Sequence, residues 1–212
     1  MREKLKEIYH KLYSVFGPQG WWPADSPFEV MVGAILTQNT NWQNVSAAIA
    51  NLKKAKALSA EKLSHLPFRK LAQLIRPAGY YNIKTKRLKN FLNFFLKKYQ
   101  ASIKKMTKKD LLALRHQLLG VNGIGQETAD SILLYALNKP IFVVDAYTKR
   151  IFFRHKLINK NATYSQLQHL FMQNLKADVQ MFNEYHALLV KLGKDFCRKN
   201  NPRCSKCPLQ KL

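Results

Sequence analysis

Acidic residues are scarce in this chain: 12 Asp and Glu stand against 36 Lys and Arg, a formal net charge of +24 over 212 residues. A folded body with so large an excess repels itself unless something neutralises it, which implies a polyanionic partner. Nucleic acid is the leading candidate, with an anionic membrane surface or a generally basic proteome as the alternatives. Long apolar runs are missing too. No stretch stays apolar for the roughly 18 residues that a membrane span needs, so no transmembrane segment is expected. Met1-Arg2-Glu3-Lys4-Leu5 starts an amphipathic pattern in place of a charged region, apolar core and small-residue cleavage site. A cytoplasmic, monomeric protein is expected. Strand-like alternation, internal repeats and low-complexity linkers are also lacking, which sets aside β folds and solenoids.

What is present is helical period. Phe28, Met31, Val32, Ile35 and Leu36 recur at the spacing of one helix face. Ile132, Leu133, Ala136 and Leu137 form another stripe, halted by Pro140. Thr107 to Asp110 ahead of Leu111 reads as a capping box. The expected fold class is all-α, with about ten helices joined by short loops. Breaks at Pro18, Gly20, Pro23 and Pro27, and at Asn138-Lys139-Pro140, suggest two helical lobes. Residues 26–138 would form a six-helix lobe, and residues 1–25 with 139–212 a second lobe, with the active-site cleft between them.

The segment Leu119-Gly-Val-Asn-Gly-Ile-Gly-Gln-Glu-Thr-Ala-Asp130 is the most informative. Gly123 and Gly125 flank Ile124 in what reads as a tight turn between helices, where glycine accepts the positive φ and close approach that a side chain would resist. Amides at such a turn suit a DNA phosphate, and Ile124 would plug the hairpin; an ordinary helix-to-helix turn is the plainer reading. An apolar strip, Ile141-Phe-Val-Val144, then leads to Asp145.

This block resembles the helix-hairpin-helix DNA glycosylase superfamily, and within it the endonuclease III branch, whose hairpin is followed by a Val-Asp motif at this spacing. Leu36-Thr-Gln-Asn-Thr40 and Gly79-Tyr-Tyr-Asn-Ile-Lys84 resemble two further family segments in order and spacing, as do the C-terminal cysteines. The resemblance implies a partner, double-stranded DNA containing a damaged base. It also implies a catalytic carboxylate, Asp145, to stabilise cationic charge on the sugar or activate water; the local alternative is a helix N-cap. Members that also nick the backbone carry a lysine two residues after the second hairpin glycine, whose amine forms a Schiff base. Glu127 stands there. A carboxylate makes no imine, so the resemblance implies a monofunctional enzyme; Lys84, Lys139 and Lys149 are the possible stand-in amines. Glu127 itself is either a base contact or an ordinary acid in a first helical turn.

Other site residues follow the same resemblance. Gln38 is expected to fill the gap in the duplex or contact the orphaned base, unless it is merely a helix-end amide, and Lys84 is counted with the DNA-binding residues. Trp21, Trp22 and Pro23, with Trp42 as a third ring, are expected to line the pocket for an extruded base, or else to anchor the core. The Trp-Trp-Pro feature is similar to that of the endonuclease III-type 3-methyladenine DNA glycosylases, which implies an alkylated purine. Stacked indoles would attract its cationic ring by about 1–2 kcal/mol when desolvated. Cys197, Cys204 and Cys207 have the spacing C-x6-C-x2-C. The family completes it with x5-C to bind a [4Fe-4S] cluster, so a cluster is expected whose fourth ligand would be position 213. The rival functions are a bifunctional glycosylase and abasic-site lyase, and a catalytically silent DNA-binding module.

Overall fold

The computed structural model describes every residue from Met1 to Leu212. Twelve α-helices and no strand make up the chain: α1 (Arg2–Phe16), α2 (Pro27–Leu36), α3 (Trp42–Lys54), α4 (Ala60–His65), α5 (Phe68–Leu74), α6 (Tyr81–Tyr99), α7 (Ile103–Thr107), α8 (Leu111–Leu119), α9 (Gln126–Ser131), α10 (Ala146–Arg154), α11 (Tyr164–Asn174) and α12 (Val179–Asp195). The fold is all-α, as its periodicity predicts. The chain divides into two compact units, residues 24–139 and residues 1–23 with 140–212.

In the unit of residues 24–139, α2 is the central helix. Ser26 caps it by accepting a hydrogen bond from the Glu29 amide, Pro27 occupies its first turn, and every residue from Glu29 to Leu36 is buried. The periodicity predicts a single buried face; α3, α6, α9 and the segment after α9 instead enclose α2 on all sides, as the high apolar content of Val30 to Leu36 permits. Where the pattern predicts six helices, this unit holds eight, α2 to α9. The additional ones are short: α4, α5 and α7 have six, seven and five residues, too few to repeat a stripe. The predicted capping box before α8 is also corrected. Thr107 ends α7, its hydroxyl bonded back to the Ile103 carbonyl, and Asp110 alone caps α8 through the Ala113 amide. A complete capping box occurs at α11, between Thr163 and Gln166.

In the other unit, α1 buries Leu5, Ile8 and Leu12 and packs on α12, where the Tyr185 hydroxyl donates to the Leu5 carbonyl at 2.8 Å. Residues 141–144 form no regular element, yet all four are buried. Phe142 stacks face to face on Phe171, and Tyr185 meets both rings edge-on. This aromatic cluster anchors the strip that carries Asp145. α10 lies close against α12 because Gly193 has no side chain: a Cβ there would come within 2.3 Å of the Tyr147 ring. Gly193→Ala is expected to destabilise the protein by about 1–3 kcal/mol through overpacking, measured as a lower midpoint in denaturant unfolding.

Candidate active site

Asp145 is the N-cap of α10, with extended backbone angles that end the buried strip and start the helix. Its Oδ1 accepts from both the Thr148 amide (2.7 Å) and the Thr148 hydroxyl (2.8 Å). Capping therefore occupies only one of the two carboxylate oxygens. Oδ2 takes no part in the cap, and the nearest basic group, His186 Nε2, lies 3.7 Å away, beyond hydrogen-bond length. Burial lowers the pKa of His186 more than the adjacent Asp145 raises it, so at neutral pH the imidazole is uncharged. Asp145 thus keeps a carboxylate whose charge this neighbour does not cancel. His186 lies 41 positions along the chain, on α12, and no local motif marks it.

The hairpin lies in the unit of residues 24–139. α8 ends at Leu119, Gly123 takes φ +96, and Gly125 is the N-cap of α9. Ile124 is 5% exposed, plugging the turn from inside. Gly123 is required here twice over, by its φ and because a Cβ would lie 2.2 Å from the Arg87 stem. Gln38, just beyond α2, donates to the Gly123 carbonyl (3.0 Å) and the Thr128 hydroxyl (2.9 Å) and accepts from Arg87 Nη1 (2.5 Å). The amide expected to reach DNA is thus largely used in holding the hairpin turn to α2 and α6. Arg87 was missed by sequence reasoning, since nothing local separates it from the other cations of α6.

Lys84 departs from its expected place on the DNA-binding surface. Only 1% exposed, its ammonium donates to the Leu36 carbonyl (2.8 Å) and the Ala78 carbonyl (2.7 Å), so it ties together the ends of two helical segments. Burial, helped by the Arg87 charge, brings its pKa down to about 8. The folded state therefore binds fewer protons than the unfolded chain between about pH 8 and the ordinary lysine value, and the contribution of this group to stability rises with pH across that window. Lys84→Met is expected to remove that increment. The gap in unfolding midpoint between wild type and variant should widen from pH 8 to pH 10.

Glu127 is exposed in the first turn of α9. Of the three candidate amines, Lys84 is buried, Lys139 donates to the Thr107 and Lys109 carbonyls, and Lys149 is exposed one turn beyond Asp145. Trp21 and Trp22 are half-buried with ring centroids 5.0 Å apart, and Pro23 beside them is exposed. Trp42, also half-buried, opens α3 in the other unit.

The cysteines follow α12: Cys197 is buried, Cys204 exposed and Cys207 half-buried. Burial, and to a smaller degree the other two thiols, raise the Cys207 pKa. They do not converge into a group able to hold a metal ion, and residues 1–212 supply three thiols where a four-cysteine cluster requires four. The three thiols alone do not make up the donor set of a [4Fe-4S] cluster. Protein groups hold this loop. Arg150 donates to the Cys197 and Gly193 carbonyls, and Arg154 to the Arg198 and Lys199 carbonyls and to Cys197 Sγ.

Residues 32–177 match the model of the HhH-GPD superfamily base excision DNA repair proteins. Over its whole length the chain is 49% identical to a protein of Methanocaldococcus jannaschii called a putative DNA repair glycosylase, covering 98% of it. Among solved structures, the H. pylori 3-methyladenine DNA glycosylase MagIII, bound to 1,N6-ethenoadenine, is similar with a TM-score of 0.75 and 32% identity. The match covers 91% of this chain and 96% of that one. A non-covalent endonuclease III–DNA complex shares the fold, with a TM-score of 0.85 at 18% identity over 99% of this chain and 94% of that one. The family match covers well over half of the chain and includes the hairpin and Asp145, so this protein belongs to the HhH-GPD superfamily of base excision DNA repair glycosylases.

Proposed function

We propose that the protein is a monofunctional DNA glycosylase that removes alkylated purines, 3-methyladenine among them, from duplex DNA. The observation that carries this reading is the pairing of Asp145, one carboxylate oxygen outside its cap, with Glu127 where lyase members carry their amine. As the N-glycosidic bond lengthens, positive charge grows on the sugar. Asp145 Oδ2 stabilises that charge or takes a proton from the attacking water, while Oδ1 stays bonded to Thr148 and fixes the angle of the carboxylate. The products are the free base and an abasic site, with water supplying the hydroxyl. The two tryptophan rings beside Pro23 and the 32% identity with MagIII support an alkylated purine.

The hairpin and the net charge of +24 support duplex DNA as the partner. Each neutralised phosphate contributes about −0.9 to the slope of log K against log salt, so affinity should fall steeply with salt. A cluster on Cys197, Cys204, Cys207 and one further thiolate would brace the basic loop around Arg198 and Lys199 and take no part in bond cleavage; iron and sulfide analysis of the purified protein tests for it.

The experiment is release of free base from methylated duplex DNA, with borohydride added to a parallel reaction on abasic-site DNA. Release of 3-methyladenine without a trapped adduct is expected. A borohydride-stable adduct would establish the second reading, a lyase, for which the exposed Lys149 one turn from Asp145 is the amine to replace. DNA binding with no released base would leave a silent binding module.

A further inference from the structure

A concave surface lies in the unit of residues 24–139, away from both the hairpin turn and Asp145 in the chain. It is an open depression of about 550 Å³ lined by Phe68, Arg69, Gln73, Arg76, Tyr81 and Asn82, over a floor made by the buried Ala72. The volume falls within the span of about 300–1,000 Å³ typical of small-ligand sites. It is too small for a duplex and sufficient for one base with its phosphate.

The lining has a consistent chemistry. Phe68 is 45% exposed, leaving a ring to stack on, and Tyr81 supplies a second. Arg69 and Arg76 are exposed, and neither side chain has an ion pair or hydrogen bond within the protein. No acidic residue occurs between Glu61 and Asp110, so nothing on the surrounding chain neutralises the two guanidiniums. Elsewhere in the same unit cations are used internally: Lys89 donates to three carbonyls at the end of α4, and Arg115 pairs with Asp130. Free planar guanidiniums beside one exposed and one half-buried ring and two amide side chains match the parts of a nucleotide, in which phosphate, flat base and polar base edge are joined. An acidic peptide would satisfy the arginines and leave the rings without a counterpart.

We propose that this pocket receives one unpaired nucleotide of a DNA strand. The base lies against Phe68 and Tyr81, Gln73 and Asn82 bond its edge, and Arg69 and Arg76 hold its phosphate. The inference rests on the DNA-binding part of the proposed function and names a second contact with the same partner. Along α6, Tyr81 and Arg87, which holds the hairpin turn, are separated by about 9 Å of helix rise. The pocket and the hairpin turn are therefore attached to one helix, α6, at its first residue and its second turn. Unpaired nucleotides have two sources here: the mate left behind when a damaged base is extruded, and a single-stranded end.

The test measures binding of the full chain by fluorescence anisotropy to four probes: an intact undamaged duplex, the same duplex with one bulged thymidine, a single-stranded oligothymidylate, and thymidine monophosphate in competition. Arg69→Gln/Arg76→Gln and Phe68→Ala are compared with wild type. All three positions are exposed, and unchanged thermal midpoints check that the variants fold. The bulged duplex and the oligothymidylate should each lose about tenfold in affinity in the double-arginine variant, with the single-strand salt slope falling by about 0.7, the value for one phosphate. Loss of the Phe68 ring should cost about five- to a hundredfold on the same probes, with intact duplex little changed. A 5-iodouracil at the bulge should photocrosslink within residues 68–82. Variants that bind every probe like wild type, or a crosslink mapping elsewhere, would overturn the proposal. Competition by thymidine monophosphate at concentrations matching the oligothymidylate would overturn the strand assignment in favour of a free nucleotide. Bulge binding with no end preference identifies the orphaned mate as the source, and oligothymidylate binding alone identifies the strand end. Base release from methylated duplex, measured on the same preparations, reports the glycosylase reading separately, so failure of one does not pass for failure of the other.

Discussion

Asp145→Asn is expected to slow base release by about 10²- to 10⁴-fold while leaving the unfolding midpoint almost unchanged. The two outcomes separate because the two oxygens of Asp145 do different things. Asparagine keeps a carbonyl oxygen in the place of Oδ1, so the bonds from the Thr148 amide and hydroxyl survive, and asparagine caps a helix about as well as aspartate. What is lost is the negative charge on the Oδ2 side, and with it, in the proposed mechanism, both the stabilisation of the sugar cation and any basicity toward water. Single-turnover release of 3-methyladenine from methylated duplex, at protein concentrations above the dissociation constant, reads the chemical step apart from binding. Release within threefold of wild type would reduce Asp145 to a cap. Asp145→Ala is the contrasting variant: it removes charge and cap together and should also lose about 0.5–2 kcal/mol of stability.

The second large effect is on stability and lies behind the hairpin. Asp130 is completely buried, and Arg115 grips it with two hydrogen bonds, Nε to Oδ1 at 2.6 Å and Nη2 to Oδ2 at 3.0 Å. Arg115 is on α8 and Asp130 on α9, so the pair joins the two helices of the hairpin fifteen residues apart. Asp130→Ala strands a guanidinium whose side chain is only 19% exposed. Breaking one side of a buried pair costs about 3–5 kcal/mol, and that loss is expected in denaturant unfolding. Because the pair is also the brace of the hairpin, affinity for undamaged duplex should fall in the same variant even under conditions where it remains folded. Replacing both members with apolar residues of similar size should recover much of the stability, which separates the cost of an orphaned charge from the worth of the pair.

These two residues also mark the line between what was legible in the chain and what was not. The role of Asp145 as a cap follows from local rules, since an aspartate after an apolar strip and before a helical stripe has few other conformations to adopt. The hairpin glycines are legible for a similar reason: at φ +96, Gly123 occupies backbone space that side chains resist. Longer-range pairings were hidden. Arg87 reaches Gln38 across 49 positions, and Lys84 reaches Leu36 across 48. A sequence lists these residues as cations or amides on helices and says nothing of which face will be covered. The short helices α4, α5 and α7 were hidden for want of length, because a stripe needs at least two turns to show a period.

By itself, then, the sequence determined the helical content of this protein, the hairpin turn, the carboxylate at Asp145 and the carboxylate, Glu127, two residues after the second hairpin glycine. Each depends on backbone preference, or on the identity of one residue at one spacing. Only the tertiary structure decided that Gln38 clasps the hairpin, that Lys84 turns inward, that His186 stands beside Asp145, and that Arg69 and Arg76 line one pocket with the exposed Phe68 ring. The physical reason is that a polar group removed from water must find a partner, and which partner lies within reach is set by helix packing, which no local pattern of residues encodes.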